Sequence, residues 1–382
     1  MKFVIYEERE WEQSESIFYI PRSKRHLLSQ KYQSAIVKDL SDFDIILDNE
    51  NNKLLQEVIE ESVKLDSIMR SESFALPILL LRTEALSSSQ IENYNSSNKN
   101  IALAQLSGSS KSQAKIISSN LNAIIHALNS KDNIDLDLIK SIHYELLKDS
   151  EKGNPGKIRH LPNWIGESSI SPHEADYVPP HPNHLTKNLE DFTLFINRND
   201  IHPFVKSAFS HAYFENIHPF EDGNGRVGRV LIQIVLKQTG FLSHFNIPLS
   251  TELVKDSLGY TEALTEFREG NYGRIVKLFC QKALNIIPKV YRLINDISIV
   301  KEKWNNNIVA RKDAYVWTMI DEIISQPVIN VSYFKSKYNW NDQAIRNNID
   351  ILLKIGVLKK SNDYKRNVFY ECQEILTILD KF

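Results

Sequence analysis

Apolar residues recur at i, i+3, i+4 and i+7 through most of this chain, the period of a helix with one buried face. Residues 52–70 and 77–93 read as two helices, the second opened by Pro77 near its first turn and closed around Asn93. A Ser- and Asn-rich polar stretch follows at 94–112. Helices are predicted again at 113–130 and 135–149, the latter with Leu136, Ile139, Ile142 and Leu146 on one stripe. Between 150 and 183 turn-formers and short apolar runs such as Asn163-Trp164-Ile165-Gly166 read as a loop or short hairpin. Helical periodicity resumes at 185–197, 203–216, 226–239, 251–268 and 272–297. From about 310 a separate unit begins, with a helix at 311–325, a break at Pro327, two further helical stretches and a short strand in KRNVFYE.

Composition supports a mostly helical reading, since Gly and Pro number only 12 and 13 in 382 residues. Lys and Arg total 46 against 48 Asp and Glu, a net charge of −2, which argues against a partner held by bulk charge. Cys280 and Cys372 lie far apart with no CxxC spacing, so neither a disulfide framework nor a structural zinc site is expected. The N-terminal residues lack a basic stretch followed by an apolar one, and the longest apolar runs fall short of the roughly 18 residues a spanning helix needs. A cytoplasmic protein with no membrane partner is the expectation.

The stretch with chemistry in it runs from His218 to Arg229, between two predicted helices. Gly223 and Gly225 flank Asn224 where the second helix begins. Glycines tolerate positive φ, so successive N–H groups can turn inward, and the helix start adds about half a positive charge. This is an anion cradle. Val227, Val230, Leu231, Ile234 and Val235 form the apolar stripe of the following helix, which leaves Arg226 and Arg229 together on its other side. Two guanidiniums over a glycine cradle suit a polyphosphate, and Asp222 beside them suits the Mg²⁺ that would accompany it. His218, with an unperturbed pKa near 6.5, is placed to take a proton from an attacking hydroxyl.

The residues His218-x-Phe220-x-Asp222-Gly223-Asn224-Gly225-Arg226-x-x-Arg229 match the Fic family motif HxFx(D/E)GNGRxxR at every fixed position. The chain thus resembles Fic proteins, which implies a helical domain that transfers AMP from ATP to a protein hydroxyl. The resemblance implies His218 as general base, Asp222 as Mg²⁺ ligand, and the Gly223 to Gly225 amides with Asn224 around the α- and β-phosphates. Arg226 and Arg229 would hold the β- and γ-phosphates, with Val227 and Gly228 between them in the nucleotide-binding segment. Tyr260 is a neighbour of the adenine by rough alignment, or else a core aromatic. Ser88, Glu92 and Asn93 match the (S/T)xxxE(G/N) inhibitory motif of Fic proteins, which implies a Glu92 carboxylate that competes with the γ-phosphate for Arg229. In some relatives the same glutamate supports removal of AMP.

Residues 156–180 resemble the family's flap, a short β-hairpin that pairs with the backbone of the target, with Ile165 and Gly166 at its tip. His181 and His184 form an HxxH without a third ligand, so a loop pair is expected there and not a metal site. The last 73 residues, 310–382, resemble a winged helix-turn-helix whose helix from Asn341 to Ile355 has little positive charge, which favours protein docking over DNA. The whole reads as a mainly α protein: an N-terminal helical region (1–112) holding the inhibitory helix (about 77–93), a Fic-type core with a β-hairpin flap (113–300), and a winged-helix-like tail (310–382). A self-inhibited adenylyltransferase acting on a Ser, Thr or Tyr hydroxyl of a protein, or on itself, is the expectation, and a homodimer is among the assemblies it allows. The rivals are a γ-phosphate kinase of the same superfamily and a DNA-binding or docking regulator with a vestigial nucleotide sensor.

Overall fold

The computed structural model describes residues 1–11, 31–70, 75–107, 113–130, 133–150, 153–166, 171–362 and 367–382. Parts of the Ser/Asn-rich stretch (108–112) and of the flap (167–170) therefore lie outside the described residues. Strands β1 (Val4–Arg9) and β2 (Tyr32–Val37) come first, followed by helices α1 (Asn49–Met69), α2 (Ala75–Ile91), α3 (Asn98–Ser107), α4 (Gln113–Asn129) and α5 (Leu136–Leu147). Then come α6 (Pro182–Ile196), α7 (Pro203–Ile217), α8 (Asn224–Gln238), the short α9 (Ser250–Leu253), α10 (Ser257–Arg268) and the long α11 (Gly273–Asn307). The chain closes with α12 (Val316–Ser325), β3 (Val328–Ile329), α13 (Val331–Tyr338), α14 (Asp342–Lys354), β4 (Lys359–Lys360), β5 (Tyr370–Glu371) and α15 (Gln373–Lys381). Among the described residues no helix is long and apolar enough to cross a membrane.

The chain divides into two compact units. The first comprises residues 1–53, 126–238 and 257–279, the second 54–125, 239–256 and 280–382. In the first unit α7 is the central helix, with every residue from Phe204 to Ile217 buried, and it packs against α6, α8 and α10. Its N-terminus is set by Pro203, whose fixed φ suits a first helical turn, and by the His202 ring, which accepts from Phe204 N. Strands β1 and β2 pair antiparallel from Val4 opposite Val37 to Arg9 opposite Tyr32, a sheet that the helical reading of residues 1–112 did not anticipate.

In the second unit α2 packs on α9 and α12, and α3 packs on β3 and α15. The C-terminal part has the expected helix, helix, helix order in α12 to α14, with a three-stranded antiparallel sheet ordered β3-β5-β4 and α15 beyond it. Asn341 caps α14 by accepting from the Gln343 and Ala344 amides. The helix α3 lies in a stretch read as polar because only Ile101 and Ala102 are fully buried in it, too few to create a periodic signal. The region 251–268 is two helices joined by a 3-10 turn at Val254–Asp256.

Helix α2 ends in a Schellman motif. Tyr94 N donates to Ser89 O (3.0 Å), Asn93 N donates to Gln90 O (2.9 Å), and Asn93 has φ of 63°. Only Gly and Asn adopt this left-handed conformation readily, which explains why the residue after Glu92 is Asn. We expect Asn93→Gly to preserve stability within a few tenths of a kcal/mol and Asn93→Val to lower it by about 1–2 kcal/mol in denaturant unfolding. Equal midpoints for the two variants would count against the turn's role.

Candidate active site

The segment from His218 to Arg229 links α7 to α8 within the first unit. His218 caps α7 in the left-handed region (φ 49°, ψ 60°), and its N–H closes the last turn on Phe214 O at 2.9 Å. Asn224 holds the loop shut. Its Oδ1 accepts from Phe220 N (2.8 Å) and its Nδ2 donates to Phe220 O (2.8 Å), so both backbone groups of Phe220 are fixed by one side chain. The Asn224 amide was expected around phosphates; the structure commits it to shaping the loop.

Arg159 anchors this corner from the base of the flap. Its three guanidinium nitrogens donate to His218 O (2.9 Å), Leu161 O (3.1 Å) and Pro180 O (2.5 Å), and its own N–H donates to Pro219 O (3.0 Å). Beyond it Ile165 and Tyr177 form an antiparallel bridge, in which Ile165 N donates to Tyr177 O (2.8 Å) and Ile165 O accepts from the Asp176 and Tyr177 amides (2.8 and 3.2 Å). Gly166, at φ 140°, lies so close to Asp176 that an added Cβ would meet the Asp176 amide nitrogen at 2.9 Å.

The His218 ring is half-buried, and its Nδ1 faces two amide donors, Asn163 Nδ2 at 3.0 Å and Asn224 Nδ2 at 3.2 Å. Both amides are oriented by Phe220 O, at 2.9 Å from Asn163 and 2.8 Å from Asn224. Nδ1 is therefore the acceptor, and a neutral ring has its proton on Nε2. Desolvation, reinforced by the charges of Arg159 and Arg268, pushes the ring's pKa down from 6.5 to about 3. At neutral pH the ring is uncharged.

His143 of α5 fixes the start of the cradle. Its Nε2 donates to Asp222 O at 2.9 Å, its Nδ1 accepts from Gly156 N at 2.9 Å, and its ring stacks flat on Phe220 at 3.7 Å. Gly223 has φ of 83°, and a Cβ there would meet Leu146 at 3.1 Å. The first amides of α8 lack intrahelical acceptors, which is the basis of an anion cradle. The Val227 N–H is consumed by Gly223 O (3.0 Å), so it is not among the amides that can face a ligand. Asp222 Oδ1 accepts from Gly223 N (2.6 Å) and lies 3.4 Å from Arg226 Nη2, while the carboxylate remains about a third exposed (37%). A partly exposed carboxylate next to a cradle fits a hard cation that also binds phosphate oxygens.

Arg226 and Arg229 are 1% and 2% exposed, and α8 is buried on nearly all sides. The sequence separated them correctly from the apolar stripe but did not reveal that their side is also covered. Gly228 allows the close approach of α7, since a Cβ there would meet Glu215 Oε1 and His211 Nδ1 at 2.9 Å each. Tyr260, expected beside an adenine or in the core, is in the core: it is 5% exposed, its hydroxyl lies 2.5 Å from His211 Nε2, and its ring lies parallel to the His211 ring. His181 caps α6 and His184 pairs with Glu7 at 2.9 Å, so the HxxH serves structure. In the second unit Ser88 is buried and Glu92, half-buried, occupies the last position before the left-handed Asn93.

Residues 133–236 match the Fic/DOC family. The protein adenylyltransferase Fic of Nematostella vectensis is 31% identical over 117 residues, 30% of this chain and 25% of that protein. The protein adenylyltransferase fic-1 of Caenorhabditis elegans is 27% identical over 113 residues, 29% of this chain and 20% of that protein. The matched segment thus spans about a quarter or less of these relatives' length. A crystal structure of a Fic family protein from Desulfovibrio desulfuricans G20 superposes with a TM-score of 0.55 at 16% identity, over 86% of this chain and 97% of that one, a likeness of fold. The matched residues include the corner between α7 and α8, so this segment is a Fic/DOC domain within the chain.

Two outcomes follow from this packing. Gly228→Ala must displace Glu215 or His211, and we expect a loss of about 1–3 kcal/mol in chemical unfolding, with none from a control Gly240→Ala beyond its backbone strain. The rings of His143 and His211 are fully buried, and desolvation lowers them from 6.5 to about 4 and about 3. Below pH 6.5 the unfolded chain binds protons that the folded chain refuses, so stability falls as pH falls from about 6.5 to 4, by up to about 1.4 kcal/mol per pH unit for each ring. Thermal melts across that window, repeated on His211→Gln, should show a shallower slope for the variant.

Proposed function

We propose that this protein is a self-inhibited adenylyltransferase that moves AMP from ATP to a Ser, Thr or Tyr hydroxyl of a protein. The observation that carries the reading is the corner itself: an uncharged histidine at the end of α7, a few residues before a glycine-rich helix start with Arg226 and Arg229 in its first turns. The names of the adenylyltransferase relatives support the same chemistry. The target hydroxyl oxygen attacks the α-phosphorus, the bond to the β-phosphate bridge breaks, pyrophosphate leaves, and the hydroxyl proton passes to His218. Asp222 would hold Mg²⁺, which when bound offsets phosphate charge. Arg226 and Arg229 take the β- and γ-phosphates, and an extended target strand pairs with the flap at Gly166, because the Ile165 N–H and carbonyl are already engaged by Tyr177 and Asp176.

A ring with pKa near 3 is a feeble base, and anionic phosphates beside it raise its proton affinity. Accepting a proton at Nε2 also requires a proton on Nδ1. Asn163 can meet that need by turning its Oδ1, which has no hydrogen-bond partner, toward the ring. Asn163→Asp supplies a permanent acceptor at that position and should move the acidic limb of the kcat profile upward by a pH unit or more. An unmoved limb would remove Asn163 from the mechanism.

Glu92 is the brake in this reading, supported by the Ser88-x-x-x-Glu92-Asn93 motif and by the helix end that fixes Glu92 in place. The test incubates wild type, Glu92→Gly and His218→Ala with Mg²⁺ and ATP labelled on the α- or γ-phosphate. We expect protein labelled from the α-phosphate only, at least tenfold more with Glu92→Gly and none with His218→Ala. Label from the γ-phosphate means a kinase, and equal labelling of wild type and Glu92→Gly refutes the brake.

A further inference from the structure

Glu92 follows directly on α2, and the last turns of that helix are buried although they are polar: Glu84, Ser87, Ser88 and Ser89 are all 5% exposed or less. Buried polar side chains need partners, and the second unit supplies them to Glu84, Ser87 and Ser89. Glu84 accepts from the Ser250 amide (3.0 Å) and the Ser250 hydroxyl (2.5 Å) at the start of α9. Ser87 Oγ lies 3.2 Å from Thr251 Oγ1. Asn120 of α4, which is fully buried, donates through Nδ2 to Ala85 O (3.0 Å) and to Ser89 Oγ (3.2 Å), and Ser89 Oγ donates to Ala85 O (2.7 Å).

Ser89 also closes the turn that presents Glu92. Its carbonyl accepts from Glu92 N (3.1 Å) and from Tyr94 N (3.0 Å). One residue thus joins the Asn120 amide, through its hydroxyl, to the backbone of the glutamate, through its carbonyl. Apolar packing is non-directional and lets a helix shift by a fraction of a residue at small cost. A buried amide is stricter, because a shifted helix leaves its donors unpaired and away from water. The Oδ1 of Asn120 is itself buried without a partner, so an apolar side chain there would avoid a desolvation cost. What the amide adds at this position is the directed bond to α2.

We propose that Asn120 is a positioning residue of the brake: its amide, acting through Ser89, sets the register in which α2 holds Glu92 and thereby how strongly ATP is excluded. This rests on the reading of Glu92 as an inhibitory carboxylate and extends it to a helix outside both motifs. Glu84 pins the same helix to α9 further back, so α2 is held by directed bonds at two points along its length.

The test compares wild type, Asn120→Leu, Glu92→Gly and the double variant as full chains, by transfer from ATP labelled on the α-phosphate and by calorimetry with Mg²⁺ and ATP. Asn120→Leu nearly keeps the volume and removes the donor. It should raise labelling about threefold or more over wild type, the worth of one hydrogen bond, and tighten ATP binding by a similar factor. It should add nothing to Glu92→Gly. Loss of a merely structural residue would instead lower labelling in both backgrounds. If Asn120→Leu does not fold, Ser89→Ala carries the same test, because it deletes only the hydroxyl that Asn120 reaches and leaves the carbonyl on Glu92 in place. Strong labelling by Glu92→Gly beside an Asn120→Leu no better than wild type overturns the positioning role alone. If no variant labels, the adenylyltransferase reading fails and calorimetry decides: ATP binding tightened by Asn120→Leu supports the positioning role, and unchanged binding overturns it.

Discussion

The left-handed turn at His218 is the constraint on which the first unit depends. A non-glycine residue costs about 1 kcal/mol or more in that conformation, so something must hold it there. The hold is a set of backbone captures: Phe214 O takes the His218 amide, Arg159 takes the His218 carbonyl, and the Arg159 amide reaches Pro219 O. Once the chain has turned, Asn224 stitches Phe220 to the start of α8, and Gly228 lets α8 lie close enough to α7 for His211 and Glu215 to fill the gap. Any one of these bonds is worth only about 0.5–1.5 kcal/mol. Together they decide where the cradle opens.

The electrostatics of the corner are local. Net charge is −2 over the chain, yet Arg159, Arg226 and Arg229 are all buried, at 3%, 1% and 2% exposure. This concentration of cations favours an anionic ligand in a place with little water to screen it. Desolvation, reinforced by the charges of Arg159 and Arg268, suppresses protonation of His218, so the ring stays neutral until anionic groups arrive beside it. His143 behaves similarly for a different purpose: burial lowers its pKa to about 4, and the neutral ring donates to Asp222 O through one nitrogen and accepts from Gly156 N through the other.

The motif was legible because its chemistry is local in sequence: glycines for positive φ, a helix start, two arginines three apart. The helices around it were legible from period. What the sequence concealed is everything that acts by reaching a backbone carbonyl far along the chain. Arg159 and His143 lie 59 and 79 residues from the atoms they hold, and nothing in their neighbourhoods marks them. Asn163 was visible only as part of a hairpin, and its amide on His218 is a consequence of the flap folding back. The strands β1 and β2 were missed because their alternation is imperfect, with Ala35 and Ile36 adjacent and apolar. Burial of Arg226 and Arg229 was hidden since periodicity reports one packed face and is silent on the opposite one.

Two buried arginines show how such hidden groups can be told apart. In Arg159 each guanidinium nitrogen donates to a carbonyl of its own unit, and its depressed pKa, about 10, reflects burial alone. That is an arginine used as a brace. Arg82 is equally buried and its pKa is lowered to the same value by the same cause, yet only one of its nitrogens is matched. Burial and pKa do not distinguish them; donor satisfaction does. A fold needing only a brace at position 82 would be served by a Gln or Met without the desolvation cost, and replacing buried ions with apolar groups is often neutral or stabilising. The two sealed, unmatched nitrogens of Arg82 are a desolvation cost that the fold carries, whereas the completed set on Arg159 offsets its own burial.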